Sequence, residues 1–271
     1  LFDQRVELGG QINYAVKIPG KQEFYEVLRF YRVMLEKYGV ELKLGQAVNQ
    51  ETLSAGNYDA VVLATGVQPR ELELEGADHA KVLSYLDVLD GECPVGNKVA
   101  VIGAGGIGID VAHYLTAKTP FSGEVPEYLQ GYGILDSEKA MALRKPKKRE
   151  VTVLQRSADK IGKRLGKTTG WAHIQTLKSH GVEFLSGVTY LKIDDAGLHV
   201  KVALKKGEEA QEIVMDVDNV IVAAGQEPRL DLEASLREAG FEVHIIGGAK
   251  VALGLDAKIA INDGAELAAK L

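Results

Sequence analysis

The sequence predicts an α/β protein holding two related nucleotide-binding units. Three observations lead there. Short apolar runs alternate with helical patterns and glycine turns. A glycine loop sits between a strand and a helix, the context in which such a loop carries information. A buried strand running into a small-residue turn also occurs twice.

The elements follow in order. Leu1-Phe2-Asp3 reads as the end of a strand already under way, a hint that chain precedes it. Pro19-Gly20 is a turn. From Gln22 to Tyr38, Phe24, Leu28, Tyr31, Leu35 and Tyr38 recur at helical spacing on one face, and Gly39 stands where that helix would stop. Val40 to Leu44 alternates as a half-buried strand does. Ala60 to Ala64 is wholly apolar, as a strand buried on both faces would be. The repeat starts here. Asp59-Ala60-Val61-Val62-Leu63-Ala64-Thr65-Gly66-Val67-Gln68-Pro69-Arg70 aligns without a gap on Asp218-Asn219-Val220-Ile221-Val222-Ala223-Ala224-Gly225-Gln226-Glu227-Pro228-Arg229. Lys98 to Ile102 is a strand, Gly103 to Gly108 the loop, and Ile109 to Ala117 a helix. Residues 118 to 149 break the pattern and read as an insertion. Glu150 to Leu154 is the next strand, and Thr169 to His180 a helix with Trp171, Ile174 and Leu177 inward. Strands are expected over 182–185, 189–193, 198–204, 212–215 and 243–246. Asp194 to Gly197 is a hairpin turn, Gly247-Gly248 another turn, and the last helix runs from about Asp256 to Leu271.

Composition narrows the function. The 271 residues carry 32 basic and 38 acidic side chains, a formal net charge of −6. That balance disfavours a general nucleic-acid binder, whose phosphate-facing surface must be positive. The run Arg144, Lys145, Lys147, Lys148 and Arg149 lacks interleaved aromatics and reads as a solvated loop. No segment reaches the roughly 20 apolar residues of a membrane helix. With one cysteine, Cys93, the chain can form neither an internal disulfide nor a Cys-x-x-Cys exchange centre, nor can it alone hold an iron–sulfur cluster. A reducing compartment, the cytosol, is the expectation. The histidines lack metal-ligand spacing, so no metal site is expected.

The chemistry lies in Gly103-Ala104-Gly105-Gly106-Ile107-Gly108, a G-x-G-x-x-G after a strand and before a helix. Gly103 permits the tight turn, Gly105 lets a pyrophosphate come close, and Gly108 lets helix and strand pack. The helix start, with Gly106 and Ile107, offers N–H groups and the positive end of its dipole. An acidic residue about 20 positions on would bind the ribose of NAD. Glu124 has that spacing but lies in the insertion. The equivalent place, after the next strand, reads Gln155-Arg156-Ser157. A guanidinium there suits the 2′-phosphate of NADP(H). Lys160, Lys163, Arg164 and Lys167 add positive field, although each alone also fits a solvated loop.

Further stretches are more specific. They are Gly9-Gly10-Gln11, Lys17-Ile18-Pro19-Gly20-Lys21, Val82 to Leu89, Pro94 to Val99, Leu165-Gly166-Lys167-Thr168-Thr169-Gly170-Trp171, Ala224-Gly225-Gln226-Glu227-Pro228, and His244-Ile245-Ile246-Gly247-Gly248. In these the chain resembles the C-terminal portion of bacterial 2,4-dienoyl-CoA reductases, in the NADH:flavin oxidoreductase group. The resemblance covers nearly the whole chain and is weakest at 118–149. It implies a disulfide-reductase-like flavoprotein with an NADP domain, residues 94–224, inserted into an FAD-type domain, residues 1–93 and 225–271. The break points would lie near Asp90 to Gly96 and Ala223 to Gln226.

The resemblance also implies roles. Asp3 would hold the adenosine ribose of FAD, and Val48 would offer backbone to its adenine. Gly9, Gly10 and Gln11 would line the flavin side. Ala64, Thr65 and Gly66 would approach the cofactor, Gly247 and Gly248 would meet the flavin or its ribityl chain, and Gly225 would belong to the nucleotide site. The FAD domain's first strand and glycine loop would precede Leu1, so the FAD site is expected to be incomplete in these residues. In such an enzyme NADPH reduces FAD, and electrons pass through a 4Fe–4S cluster to FMN in an N-terminal barrel, the part of the protein expected as this chain's partner, where the dienoyl-CoA of fatty acid oxidation is reduced. Hydride transfer to FAD needs ring stacking and exclusion of water, with no catalytic side chain from this chain. The alternative is a module that binds NADP(H), or only an adenine nucleotide, without turnover.

Overall fold

A computed structural model describes residues 1–117, 149–163, 165–203 and 209–271. Most of the expected insertion, with Glu124 and the first four members of the basic run, lies outside the described residues, as do Arg164 and Leu204. In chain order the elements are β1 (Phe2–Asp3), α1 (Ile12–Ala15), α2 (Phe24–Lys37), β2 (Lys43–Leu44), α3 (Gln50–Ser54), β3 (Val61–Leu63), β4 (Val67–Pro69), β5 (Val82–Ser84), α4 (Tyr85–Asp90), β6 (Lys98–Ile102), α5 (Gly106–Thr116) and β7 (Glu150–Gln155). Then come α6 (Gly170–Ser179), β8 (Glu183–Ser186), β9 (Thr189–Asp194), β10 (Gly197–Val202), β11 (Gln211–Met215), β12 (Asn219–Val222), β13 (Gln226–Pro228), α7 (Glu233–Glu238), β14 (Val243–Ile245) and α8 (Ala257–Ala268). The chain folds as two compact units, Leu1–Glu71 with Gly225–Leu271, and Leu72–Ala224.

The unit Leu72–Ala224 is a Rossmann-type layer. Its parallel five-stranded sheet has the order β5-β12-β6-β7-β8. Val99, Ala100, Val101 and Ile102 of β6 and all of β12 are buried, as central parallel strands must be. The antiparallel sheet β11-β10-β9 packs on it through Leu198, Val200, Val202 and Ile193, in one core with Ile102, Leu154 and Val220. The hairpin at Asp194–Gly197 forms where expected, with Gly197 at φ +131°. Sequence reading placed the first boundary after residue 93. The division falls at Glu71 instead, because β5 hydrogen-bonds to β12 in this unit's sheet. A capping box at Ser84 and Asp87 then starts α4.

Two further expectations are corrected here. Trp171 is 71% exposed, while Leu177 is the member of its stripe that is fully buried. Trp171 sits in the first turn of α6, and its indole N–H donates to the Thr168 carbonyl. The basic run departs from the solvated loop its composition suggests. Its described member, Arg149, is half-buried and donates to the carbonyls of Gly96, Leu115 and Val95.

The other unit contains three two-stranded pairs, β1–β2 and β3–β14 parallel and β4–β13 antiparallel. Leu53, Leu63, Leu236 and Val243 form its buried cluster, flanked by Phe2, Val48 and Val61. The expectation that 60–64 is buried on both faces fails at Val62, which is 41% exposed. Among the described residues β3 pairs with β14, on one of its two edges. On α2, Phe24, Leu28 and Leu35 are half-buried, whereas Tyr31 and Tyr38 are exposed. Gly39, at φ +67°, ends that helix as expected.

The repeat has a structural meaning. Its second halves are β4 and β13, which pair with each other. Arg70 N–H donates to the Gly225 carbonyl at 3.0 Å, and its counterpart Arg229 N–H donates to the Gly66 carbonyl at 3.1 Å. Both glycines have positive φ, +73° at Gly66 and +122° at Gly225.

Candidate functional site

In the unit Leu72–Ala224 the site is the carboxyl edge of β6 and β7. Gly103 leaves β6 at φ +115°, and its N–H donates to the Leu154 carbonyl of β7 at 2.9 Å. A Cβ on Gly103 would stand 2.2 Å from the Ala223 carbonyl oxygen. One on Gly108 would stand 1.8 Å from the Gly103 oxygen. These two glycines are demanded by backbone packing. Gly105 and Gly106 differ, since a Cβ on either would meet nothing within 4 Å. Both are exposed. The space above them is open, which leaves room for a ligand to approach the backbone.

Helix α5 starts from this opening. Gly105 is its N-cap, and no side chain caps the first turn. The leading N–H groups and the helix dipole are therefore available to an anion. Ile107 is half-buried in the first turn, and Gly108 and Ile109 are buried against the sheet. The loop thus fits a dinucleotide pyrophosphate on steric and electrostatic grounds together.

Arg156 follows the end of β7. β6 and β7 are parallel with Ile102 opposite Leu154, so Arg156 comes level with the glycine loop at the same sheet edge. It is exposed. Its guanidinium charge reaches Tyr190, whose phenol burial pushes up to about 12 and Arg156 pulls partly back. Sequence analysis does not single out Tyr190, the second residue of β9, because it carries no motif. Lys163 pairs with Asp159 at 2.9 Å, so much of its charge is compensated locally. Lys160 and Lys167 are exposed on the same connection between β7 and α6.

In the other unit, several of the residues expected at a flavin are brought together. A Cβ on buried Gly248 would meet Gly66 carbon at 3.2 Å and Val67 at 2.9 Å, so the Gly247-Gly248 and Ala64-Thr65-Gly66 turns touch. Ala64 and Thr65 are exposed, and the Thr65 hydroxyl donates to the Arg229 carbonyl. Gly247 N–H donates to Asp263 at 2.8 Å. Gln226 donates to Gln11 at 3.2 Å. Gly9 has φ +126° and a Cβ there would strike Leu28 at 2.4 Å, whereas Gly10 faces open space. Asp3 accepts from the Arg5 N–H at 2.9 Å. The Val48 side chain packs on the apolar cluster. The Gly225 carbonyl is held by Arg70, as described above.

Residues 4–259 match the sequence profile of the pyridine nucleotide-disulphide oxidoreductases. The chain belongs to that family. The family binds FAD and NAD(P)H, and this chain is a flavoprotein oxidoreductase domain of an NAD(P)H-dependent reductase family. Among curated relatives, the metal reductase of Desulforamulus reducens is 27% identical over 92% of this chain and 37% of its own length. The cinnamate reductase of Clostridium sporogenes is 28% identical over 92% of this chain and 32% of its own. This chain spans about a third of the length of such relatives. Among solved structures, 2-naphthoyl-CoA reductase in complex with 2-naphthoyl-CoA superposes with a TM-score of 0.80 at 25% identity, covering 100% of this chain and 36% of that one. Thioredoxin reductase of T. acidophilum shares the fold with a TM-score of 0.61 at 17% identity, covering 100% of this chain and 88% of that one. Among the described residues of this family member, no helix is long and apolar enough to cross a membrane.

Proposed function

We propose that this chain is the NADPH-to-FAD hydride-transfer portion of a larger reductase of conjugated acyl-CoA thioesters, of the 2,4-dienoyl-CoA reductase kind. The observation that carries the reading is the open cradle over Gly105 and Gly106 with the Arg156 guanidinium at the neighbouring strand end. The cradle accounts for the dinucleotide, and the cation in place of a carboxylate accounts for the 2′-phosphate. The similarity to 2-naphthoyl-CoA reductase supports an acyl-CoA with conjugated unsaturation.

The chain's own residues bind and orient. Gly105 and the α5 N-terminus hold the pyrophosphate, Arg156 selects the tagged ribose, and Lys167 adds local positive potential, with a smaller share from Lys163 because Asp159 pairs with it. FAD, when bound, supplies the hydride acceptor. Asp3, Gly9, Gly10, Gln11, Val48, Ala64, Thr65, Gly66, Gly247 and Gly248 are proposed to approach it, and Gly225 to belong to the nucleotide site.

The strand edges support a flavin site completed by further chain. The Leu1, Asp3 and Arg5 carbonyls accept from Lys43, Gln46 and Gly45 on the β2 side. On β3, the Val61 N–H and Leu63 carbonyl bond toward β14. Alternate residues face opposite edges, so the Phe2 and Val62 backbones face away from those partners. Each of these edges can pair with a further parallel strand. A strand leading into a second glycine loop for the FAD pyrophosphate fits that place. FMN, a 4Fe–4S cluster and the acyl-CoA site belong, on this reading, to a barrel elsewhere in the same protein, working in cytoplasmic fatty acid oxidation.

The test is spectroscopic. The full protein containing this chain should carry flavin bands that NADPH bleaches anaerobically, faster than NADH does. Binding of NADPH without bleaching would replace the reading with a nucleotide-binding module.

A further inference from the structure

Gln155 closes β7, in the place where an NAD-binding unit presents a carboxylate to the ribose hydroxyls. Its carboxamide is turned inward. The Nε2 group donates to the Ser157 carbonyl and to the Asp159 carbonyl, each at 2.9 Å. Both amide hydrogens are thereby used, and the opposite amide orientation would set Oε1 against two carbonyl oxygens. The same turn is closed further. Asp159 N–H donates to the Ser157 hydroxyl at 3.1 Å, Gly187 N–H to the Ser157 carbonyl at 3.1 Å, and Val188 N–H to the Gln155 carbonyl at 3.0 Å. Arg156, exposed like Ala158 and Asp159, lies within the segment these bonds close.

We infer that Gln155 is a positioning residue for cofactor choice: it clamps the 155–159 turn so that Arg156 is held toward a ribose 2′-phosphate, and it withholds from an untagged ribose the acceptor a carboxylate would give. This rests on the NADPH reading above and extends it to a residue that touches no ligand. The physical basis is preorganisation. A long, flexible arginine gains more from a phosphate when its backbone is already fixed. A glutamate at 155 could not donate to Ser157 and Asp159. Its charge would be driven from the two carbonyl oxygens toward solvent, where the ribose is expected.

The experiment compares the whole chain with Gln155→Met, which keeps the side chain's bulk, and with Gln155→Glu and Arg156→Ala. Dissociation constants are measured for NADPH and NADH, and for adenosine 2′,5′-bisphosphate against 5′-AMP. Gln155→Met should weaken the two phosphate-tagged ligands on the order of tenfold and leave the untagged ones within about twofold. Gln155→Glu should do the same and tighten NADH. Equal weakening of tagged and untagged ligands by both Gln155 variants would reduce Gln155 to a structural role and overturn the inference, as would no change. If Arg156→Ala itself lacks selectivity for the tagged ligands, the NADPH reading fails, and the inference with it. A selective Arg156→Ala beside indifferent Gln155 variants sinks the inference alone. Gln155→Glu is isosteric and keeps the test available if the methionine variant does not fold.

Discussion

The α-carbon of Gly108 sits so close to the carbonyl oxygen of Gly103 that a methyl group on it would lie 1.8 Å from that oxygen. The two glycines thus set how tightly α5 packs against the end of β6. Gly108→Ala should destabilise the unit by at least about 2–3 kcal/mol, the scale of a forced backbone shift. It should also abolish nucleotide binding, since the helix start moves. Thermal or denaturant unfolding checks the first, and a binding titration the second.

Gly105 should separate folding from binding. Nothing lies within 4 Å of a Cβ there, and its φ of −79° suits any residue. Gly105→Ala should cost only about 0.5–1 kcal/mol of stability, from a poorer helix cap. Pyridine-nucleotide affinity should fall by at least about tenfold, because the methyl group takes the phosphate's space. Gly106→Ala, equally open and one residue inside the helix, should weaken binding in the same direction while leaving stability unchanged or improved. Equal affinities for wild type and Gly105→Ala would show that the opening holds no pyrophosphate.

Much of this site was legible before any coordinates because glycine positions encode backbone geometry directly. Spacing alone names the packing roles of Gly103 and Gly108, and the structure shows both. Long polar side chains are less readable. Gln155 and Arg149 look like surface residues, yet each donates to carbonyls brought near by the fold. Trp171 shows the converse error, since helical spacing suggested an inward face that the helix start turns to solvent. The boundary at Glu71 was hidden because β5, only three residues long, is recognised by its pairing with β12 rather than by its composition.

Arg156→Ala should weaken NADPH by about 1–3 kcal/mol and leave NADH nearly unchanged, the expected loss of a charge-assisted contact to phosphate. Raising the salt concentration should narrow the difference between the two cofactors in the wild-type protein. Equal losses for both would remove the arginine from the 2′-phosphate.

Asp218 predicts an acid response. Its carboxylate accepts from the Lys98 N–H at 2.8 Å and the Asn97 N–H at 2.7 Å, joining the starts of β12 and β6. Those bonds, the Lys98 one first, hold its carboxyl below the usual carboxylate range. A depressed folded-state value means that the stabilisation is present above the ordinary carboxylate pKa and is lost as pH falls through the folded value. Asp218→Asn should therefore be less stable than wild type at neutral pH, and the gap should narrow on acidification below about pH 4. Unfolding midpoints measured from pH 7 to pH 3 would show it, and a gap that stays constant would exclude the carboxylate charge as its cause.

Arg149 should act as an internal tie. One guanidinium donates to Gly96 at 3.1 Å, to Leu115 in the last turn of α5 at 3.2 Å, and to Val95 at 3.4 Å. It joins the loop before β6, the carboxyl end of the loop helix and the start of β7. The positive charge also suits the negative end of the α5 dipole. Arg149→Ala would leave half-buried carbonyls without this donor and should cost about 1.5–3 kcal/mol. Arg149→Lys should recover only part of that, because an ammonium cannot span three carbonyls as a planar fork does. With the nucleotide proposed to sit at the opposite end of α5, saturating NADPH should raise the midpoint of the alanine variant and of wild type by similar amounts. A variant that stays as stable as wild type would return Arg149 to the class of solvated basic residues.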